Sequence, residues 1–144
     1  MPRRLALLLS LLAPLLSAGG LPAAAGEAFR ITASNALSVP LTVQLEYEGW
    51  VGDSRQPLQH AFTLSPGQTQ NVTVDCGHQC SYGTLNVLGG TDYVACSAIS
   101  GPWGGEMTVA VQETEKTRFN ILFRCDFGGK DLMQTYSIQG ATMH

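Results

Sequence analysis

Apolar and polar residues alternate along most of this chain, in short runs separated by turn residues. In the run 41–48, Leu41, Val43, Leu45 and Tyr47 occupy every second position. Because successive side chains of a β-strand point to opposite faces, this period predicts strands with one buried face. The period recurs in 29–34, 58–64, 71–76, 106–112, 118–125 and 132–139.

Glycine and proline clusters such as Ser65-Pro66-Gly67 separate the runs, and the polar segment 112–117 is predicted to be a hairpin loop. A single sheet would leave an apolar face in water, whereas two facing sheets bury both. The spacing therefore predicts an all-β protein, an antiparallel β-sandwich that is Ig-like or jelly-roll-like, with about eight or nine strands.

The first 25 residues have the composition of a secretory signal peptide. Arg3 and Arg4 precede an uncharged apolar run, 5–21, and Ala23-Ala24-Ala25 places small residues at the cleavage positions. A membrane anchor is the alternative, but the run is at the short limit of a bilayer span, and prolines and glycines interrupt it. Cleavage after Ala25 would leave residues 26–144 as a single all-β domain.

Charge and hydropathy restrict the partners of that domain. The chain has 8 basic and 11 acidic residues, and the signal peptide would remove two of the basic ones. An acidic domain lacks the basic surface that nucleic-acid binding requires. No later stretch is long and apolar enough for a span, so we expect a secreted or periplasmic product with no stable membrane insertion after signal cleavage.

Four cysteines follow the expected cleavage point: Cys76, Cys80, Cys96 and Cys125. An even number in a small exported domain predicts disulfides, although four cysteines allow three pairings. The segments 72–76 and 80–85 are predicted to pair as a hairpin around Gly77-His78-Gln79, which would set Cys76 opposite Cys80.

Cys96 would then pair with Cys125. In the predicted strand 118–125, Cys125 shares a face with Phe119, Ile121 and Phe123. We therefore expect this second bridge to be buried and to join neighbouring strands or the two sheets.

Metal binding and thiol redox chemistry are alternative interpretations of Cys76-Gly77-His78-Gln79-Cys80. Two thiolates and an imidazole can bind zinc, but the paired knuckles of zinc domains are missing. Redox enzymes use C-x-x-C at a helix N-terminus, whereas the spacing here is three and the flanks alternate as strands do. We expect no cofactor.

Catalytic motifs such as G-x-S-x-G and H-E-x-x-H are missing from the sequence. Glu46 and Glu48 lie on one strand face, with Cα atoms about 7 Å apart, a spacing compatible with the carboxylate pair of a glycosidase. His60 lies on the apolar face of its strand. A small secreted hydrolase or lysis-type effector using Glu46, Glu48 or His60 is therefore an alternative to a solvated polar surface.

Three aromatic residues are candidate ligand contacts, although packing at an end of the core is the commoner role of such side chains. Trp50 ends a predicted strand, Trp103 lies within a Gly/Pro-rich loop, and Tyr93 follows a turn. Each either closes the core or presents an interaction surface, and tyrosine and tryptophan are frequent binding anchors. We predict a non-enzymatic binding or structural module for a protein or glycan ligand, acting through the loops 49–57 and 101–105.

A periplasmic metal-handling protein is a further alternative. His78 is expected at an exposed loop tip, and Met143 and His144 lie at the end of the sequence, where His144 is expected to be mobile. A thioether and imidazoles suit soft transition metals.

Asn71-Val72-Thr73 matches the acceptor motif for N-linked glycosylation. Alternation places Asn71 on the outward face of its strand, where a glycan would fit.

Overall fold

Two facing five-stranded sheets form the protein in a computed structural model, which describes residues 28–90, 93–101 and 104–144. The predicted β-sandwich is confirmed. The strands are β1 (Ala28–Asn35), β2 (Leu41–Val51), β3 (Ser54–Leu64), β4 (Thr69–Asp75), β5 (Gly83–Leu88), β6 (Val94–Ser100), β7 (Gly105–Lys116), β8 (Asn120–Gly128), β9 (Leu132–Tyr136) and β10 (Gln139–Met143).

The first sheet has the strand order β10-β8-β7-β1-β4, and the second has the order β3-β2-β5-β6-β9. Of the eight strand pairs among these ten strands, seven are antiparallel, and the pair of β1 with β7 is parallel. The edge strands are therefore β3 and β4 on one flank and β9 and β10 on the other.

The core lies between the sheets and follows the alternation of the sequence. In β2, Leu41, Val43 and Leu45 are buried while the residues between them face outward. Their neighbours in the facing sheet include Phe29, Ile31 and other fully buried side chains of β1, β7 and β8. Taking both sheets together, the largest fully buried side chains include Phe29, Phe123, Ile31, Leu45, Leu64, Leu85, Met107 and Ile121.

Both predicted disulfides are present. Cys96 in β6 and Cys125 in β8 join the two sheets, with Cα atoms 6.4 Å apart and each residue 1% exposed. Cys76 and Cys80 are bridged with Cα atoms 5.2 Å apart. Structural disulfides are typical of proteins that mature outside the cytoplasm. Within the described residues, no helix is long and apolar enough to span a membrane.

The predicted hairpin between 72–76 and 80–85 is wrong, although its disulfide is right. β4 pairs with β1 in the first sheet, whereas β5 pairs with β2 and β6 in the second. The Cys76–Cys80 bridge therefore closes a loop that crosses from one sheet to the other. Alternation identifies the buried face of a strand but not the sheet to which the strand belongs, and this explains the error.

The segment 132–139 is also not one strand. It divides at Ser137, which has a φ of 53°, into β9 of the second sheet and the start of β10 of the first. This division raises the number of strands in the described residues to ten, above the predicted eight or nine. The segment 112–117, predicted to be a loop, extends β7 as far as Lys116.

Phe119 and His60, which the sequence places on apolar faces, are exposed. Phe119 is 61% exposed because it lies in the β7–β8 turn, where the Thr117 amide donates to the Asn120 carbonyl. His60 faces the inner side of β3 but is exposed because β3 is an edge strand.

Candidate functional site

Trp50 lies near the end of β2, at the end of the sandwich where the small disulfide loop crosses between the sheets. We call this the disulfide end. The Trp50 amide donates a 2.9 Å hydrogen bond to the Cys76 carbonyl, which ties the second sheet to the crossing loop. Gly77 has a φ of 85°, and a Cβ atom there would lie 3.0 Å from the Trp50 Cβ. Glycine therefore lets the loop pack directly against Trp50.

His78 completes this contact. Its ring lies edge-on to the Trp50 indole, with centroids 5.3 Å apart. His78 is exposed, as the sequence predicted for a loop tip. The bridge, the hydrogen bond and the ring contact hold Trp50 in a fixed position at the surface.

A concavity of about 170 Å³ opens beside Trp50. Trp50 and Arg55 face each other across the β2–β3 hairpin, and the crossing loop supplies the opposite wall. We call this concavity the aromatic pocket. It is lined by Trp50, Arg55, Gln79, Cys80, Ser81 and Tyr82.

A second, more open depression of about 450 Å³ lies along β2 and β3. Tyr82 lines both concavities and so joins them into one surface. We call the second concavity the acidic depression. It is lined by Glu46, Tyr47, Glu48, Pro57, Leu58, Gln59 and Tyr82.

The carboxylates of the acidic depression already have partners. Glu48 pairs with Arg55 at 3.1 Å between exposed side chains, and Glu46 accepts a 3.4 Å hydrogen bond from the Asn86 amide. His60 stands opposite Leu45 in the β2–β3 register, whereas Glu46 stands opposite Gln59. His60 therefore faces away from the two glutamates. Glu46 and Glu48 therefore share one depression, whereas His60 lies on the other face of the β2–β3 hairpin, so the three predicted hydrolytic groups do not meet at one site.

Tyr47 connects the depression to the core. Its ring packs edge-on against Phe29, with centroids 5.9 Å apart. Burial raises the pKa of the Tyr47 phenol above its usual value of 10.0, and the negative charge of Asp75 raises it further. The folded protein thus holds the phenol proton to a higher pH than the unfolded chain does. The resulting stability is present below pH 10.0 and is lost as the pH rises through the folded pKa.

Replacing Asp75 with asparagine should lower the Tyr47 pKa, because the carboxylate that disfavours the phenolate is removed. Burial should still keep the pKa above its usual value. An NMR titration that follows the ring carbon bonded to the Tyr47 hydroxyl measures this change. Asp126→Asn is the control, because Asp126 pairs with Arg124 on β8 and is not a cause of the raised Tyr47 pKa. An unchanged Tyr47 pKa in the Asp75 variant would contradict the assigned cause.

The three predicted aromatic anchors do not form one cluster. Tyr93 precedes β6, where Val94 pairs with Leu88, so it lies at the end of the sandwich opposite the disulfide end. Trp103 lies outside the described residues. Gly104, which follows it, lies at the disulfide end, where an added Cβ would be 3.0 Å from the Cys80 sulfur.

The residues proposed for metal handling are also separated. His78 lies at the disulfide end, whereas Met143 pairs with Asn120 near the β7–β8 turn at the opposite end. His144, expected to be mobile, hydrogen-bonds through Nε2 to the Thr117 carbonyl at 2.6 Å. Across the described ranges, no cluster of three or more His, Cys, Asp or Glu could hold a metal ion.

Sequence reasoning missed Tyr82 and the place of Arg55. The sequence predicts a strand at Tyr82, but Tyr82 lies before β5 and is exposed. The sequence predicts a loop over 49–57, which contains Arg55, but this segment is mostly strand and turns tightly at Gly52 and Asp53. The signal that could have placed Arg55 is the register of the β2–β3 hairpin, which sets Arg55 opposite Trp50 and so in the wall of the aromatic pocket.

Comparison of the chain with protein-family models, curated proteins and solved structures finds no match.

Proposed function

We propose that this protein is an exported, non-enzymatic module that binds glycans through its disulfide end. One observation carries the proposal: Trp50, Arg55 and Tyr82 line a concavity beside a crosslinked loop. Small-ligand sites combine apolar or aromatic walls with a few fixed polar groups. The signal-like leader and the two disulfides support a secreted or periplasmic location.

A sugar fits the chemistry of these walls. Its ring has apolar C–H faces that stack on aromatic side chains, and hydroxyls at its rim that bond to charged or amide groups. Trp50 and Tyr82 supply the aromatic surface, while Arg55 and Gln79 supply polar groups. The acidic depression continues the surface past Tyr82, so the site has room for more than one sugar unit.

Binding to an immobilised glycan array tests the proposal. We expect the wild type to bind at least one glycan class. Trp50→Ala and Tyr82→Ala should each weaken that binding about tenfold or more, because aromatic side chains that become buried in a complex contribute much of its binding energy. Tyr93→Ala is the matched control, because Tyr93 is 53% exposed against 55% for Tyr82 but lies at the opposite end. Failure to bind any glycan, or undiminished binding by Trp50→Ala, would contradict the proposal.

A protein ligand is the second candidate, and the exposure of Val51 beside Trp50 favours it. Apolar surface next to aromatic anchors is common in protein interfaces. This candidate would be favoured if the wild type, but not Trp50→Ala, captured a defined secreted protein and the wild type bound no glycan on the array.

A further inference from the structure

Asn71 stands apart from the other asparagines of the chain. The sequence contains Asn35, Asn71, Asn86 and Asn120, and only Asn71 is followed by the x-Ser/Thr pattern of an N-glycosylation acceptor. Asn35 and Asn86 are buried, whereas Asn71 is exposed on β4. The acceptor motif thus coincides with an accessible side chain.

The Asn71 side chain is held by a hydrogen bond that does not use Nδ2, the atom to which an N-linked glycan attaches. Its Oδ1 accepts a 2.8 Å hydrogen bond from the Thr32 hydroxyl of the neighbouring strand. N-linked glycans attach through Nδ2, so this hydrogen bond can persist after modification. Thr73, the third residue of the motif, is exposed on the same face of β4.

β4 is also an edge strand that lacks the usual protection against pairing with other chains. It pairs with β1 through a regular register, and no other strand of the described residues pairs with its outer side, although the Gln70 side chain donates a hydrogen bond to the Thr63 carbonyl of β3. Natural edge strands are protected by proline, lysine, bulges or inward charges. β3, on the same flank, contains Pro57, whereas β4 contains no proline or basic residue and has its single charge, Asp75, at its last position.

We propose that Asn71 is an N-glycosylation site and that its glycan shields the open edge of β4. The donor is a lipid-diphosphate-linked oligosaccharide of a secretory compartment. The Nδ2–C1 bond forms, the sugar–phosphate bond breaks, Nδ2 loses one proton, and the lipid diphosphate leaves. The proposal depends on export of the chain and not on what the disulfide end binds.

The position of Asn71 keeps the glycan away from the candidate binding site. Asn71 lies four residues before Asp75, the last residue of β4, which corresponds to about 13 Å along the strand. β4 belongs to the first sheet, whereas Trp50 and Arg55 belong to the second. The proposed modification would therefore cover the edge and leave the aromatic pocket open.

The test is to secrete the full chain, with its leader, from cultured animal cells and to measure its intact mass before and after peptide-N-glycosidase treatment. We expect the enzyme to remove one oligosaccharide and to leave aspartate at position 71. Asn71→Gln and Thr73→Ala should lack the glycan, while Thr73→Ser should retain it. The proposed glycosylation of Asn71 would be overturned if the secreted wild type had the mass of the unmodified chain, or if Thr73→Ala kept the glycan.

Shielding is tested separately on the folded wild type, which requires no variant. Sedimentation velocity at increasing concentration should show more self-association after enzymatic removal of the glycan than before it. Equal self-association in the two samples would overturn the shielding role.

Discussion

Replacing Phe123 with alanine is expected to lower the free energy of unfolding by about 3–5 kcal/mol, because the fully buried ring leaves a cavity in the core. The ring lies in β8 beneath Gly140 of β10, where an added Cβ would be 2.6 Å from the ring carbon Cζ. Equilibrium denaturation in urea measures the loss.

Phe119→Ala is the matched control for this change. It removes the same side chain four residues earlier, but from a position that is 61% exposed. We expect a loss of less than about 1 kcal/mol, because surface substitutions have small effects on stability. Equal losses in the two variants would contradict the placement of Phe119 in the β7–β8 turn.

Removing the bridge between the sheets, through Cys96→Ala with Cys125→Ala, should lower the free energy of unfolding by about 3–4 kcal/mol. The bridge closes a loop of 30 residues, and its loss restores the conformational entropy of that loop to the unfolded chain. Thermal and urea denaturation of the double variant, beside the oxidised wild type, measure this change.

The Cys76→Ala, Cys80→Ala pair provides the comparison. Its bridge spans only four positions along the chain, so the same argument gives about 2 kcal/mol. This variant should also bind more weakly at the disulfide end, because the crossing loop would no longer be fixed against Trp50. A greater loss of stability here than in the other pair would contradict the entropic argument.

Alternation identified most of the buried strand faces, with Phe119 and His60 as exceptions, but not how the strands are connected. Alternation correctly placed Val43 and Leu45 inside, and it placed Cys125 where its sulfur meets Cys96. It could not distinguish a hairpin from a crossing loop at Cys76–Cys80, because both present the same alternation on either side of a turn.

The candidate site was predicted only in part, for a related reason. Trp50 was identified from its position at a strand end, but its neighbours Tyr82 and Arg55 reach it through pairing between distant segments. Tyr93 was predicted as an anchor from its place after a turn, but it lies at the other end of the molecule. Clusters of this kind depend on topology, which local patterns do not encode.

The parallel pairing of β1 with β7 affects when the chain can fold during its synthesis. β1 lies inside its sheet between β7 and β4, yet β7 is synthesised some 70 residues later. The first strand to emerge must therefore wait for most of the polypeptide before its second neighbour exists. Contacts of such long sequence separation slow folding, so this protein should acquire its structure after its synthesis is nearly complete.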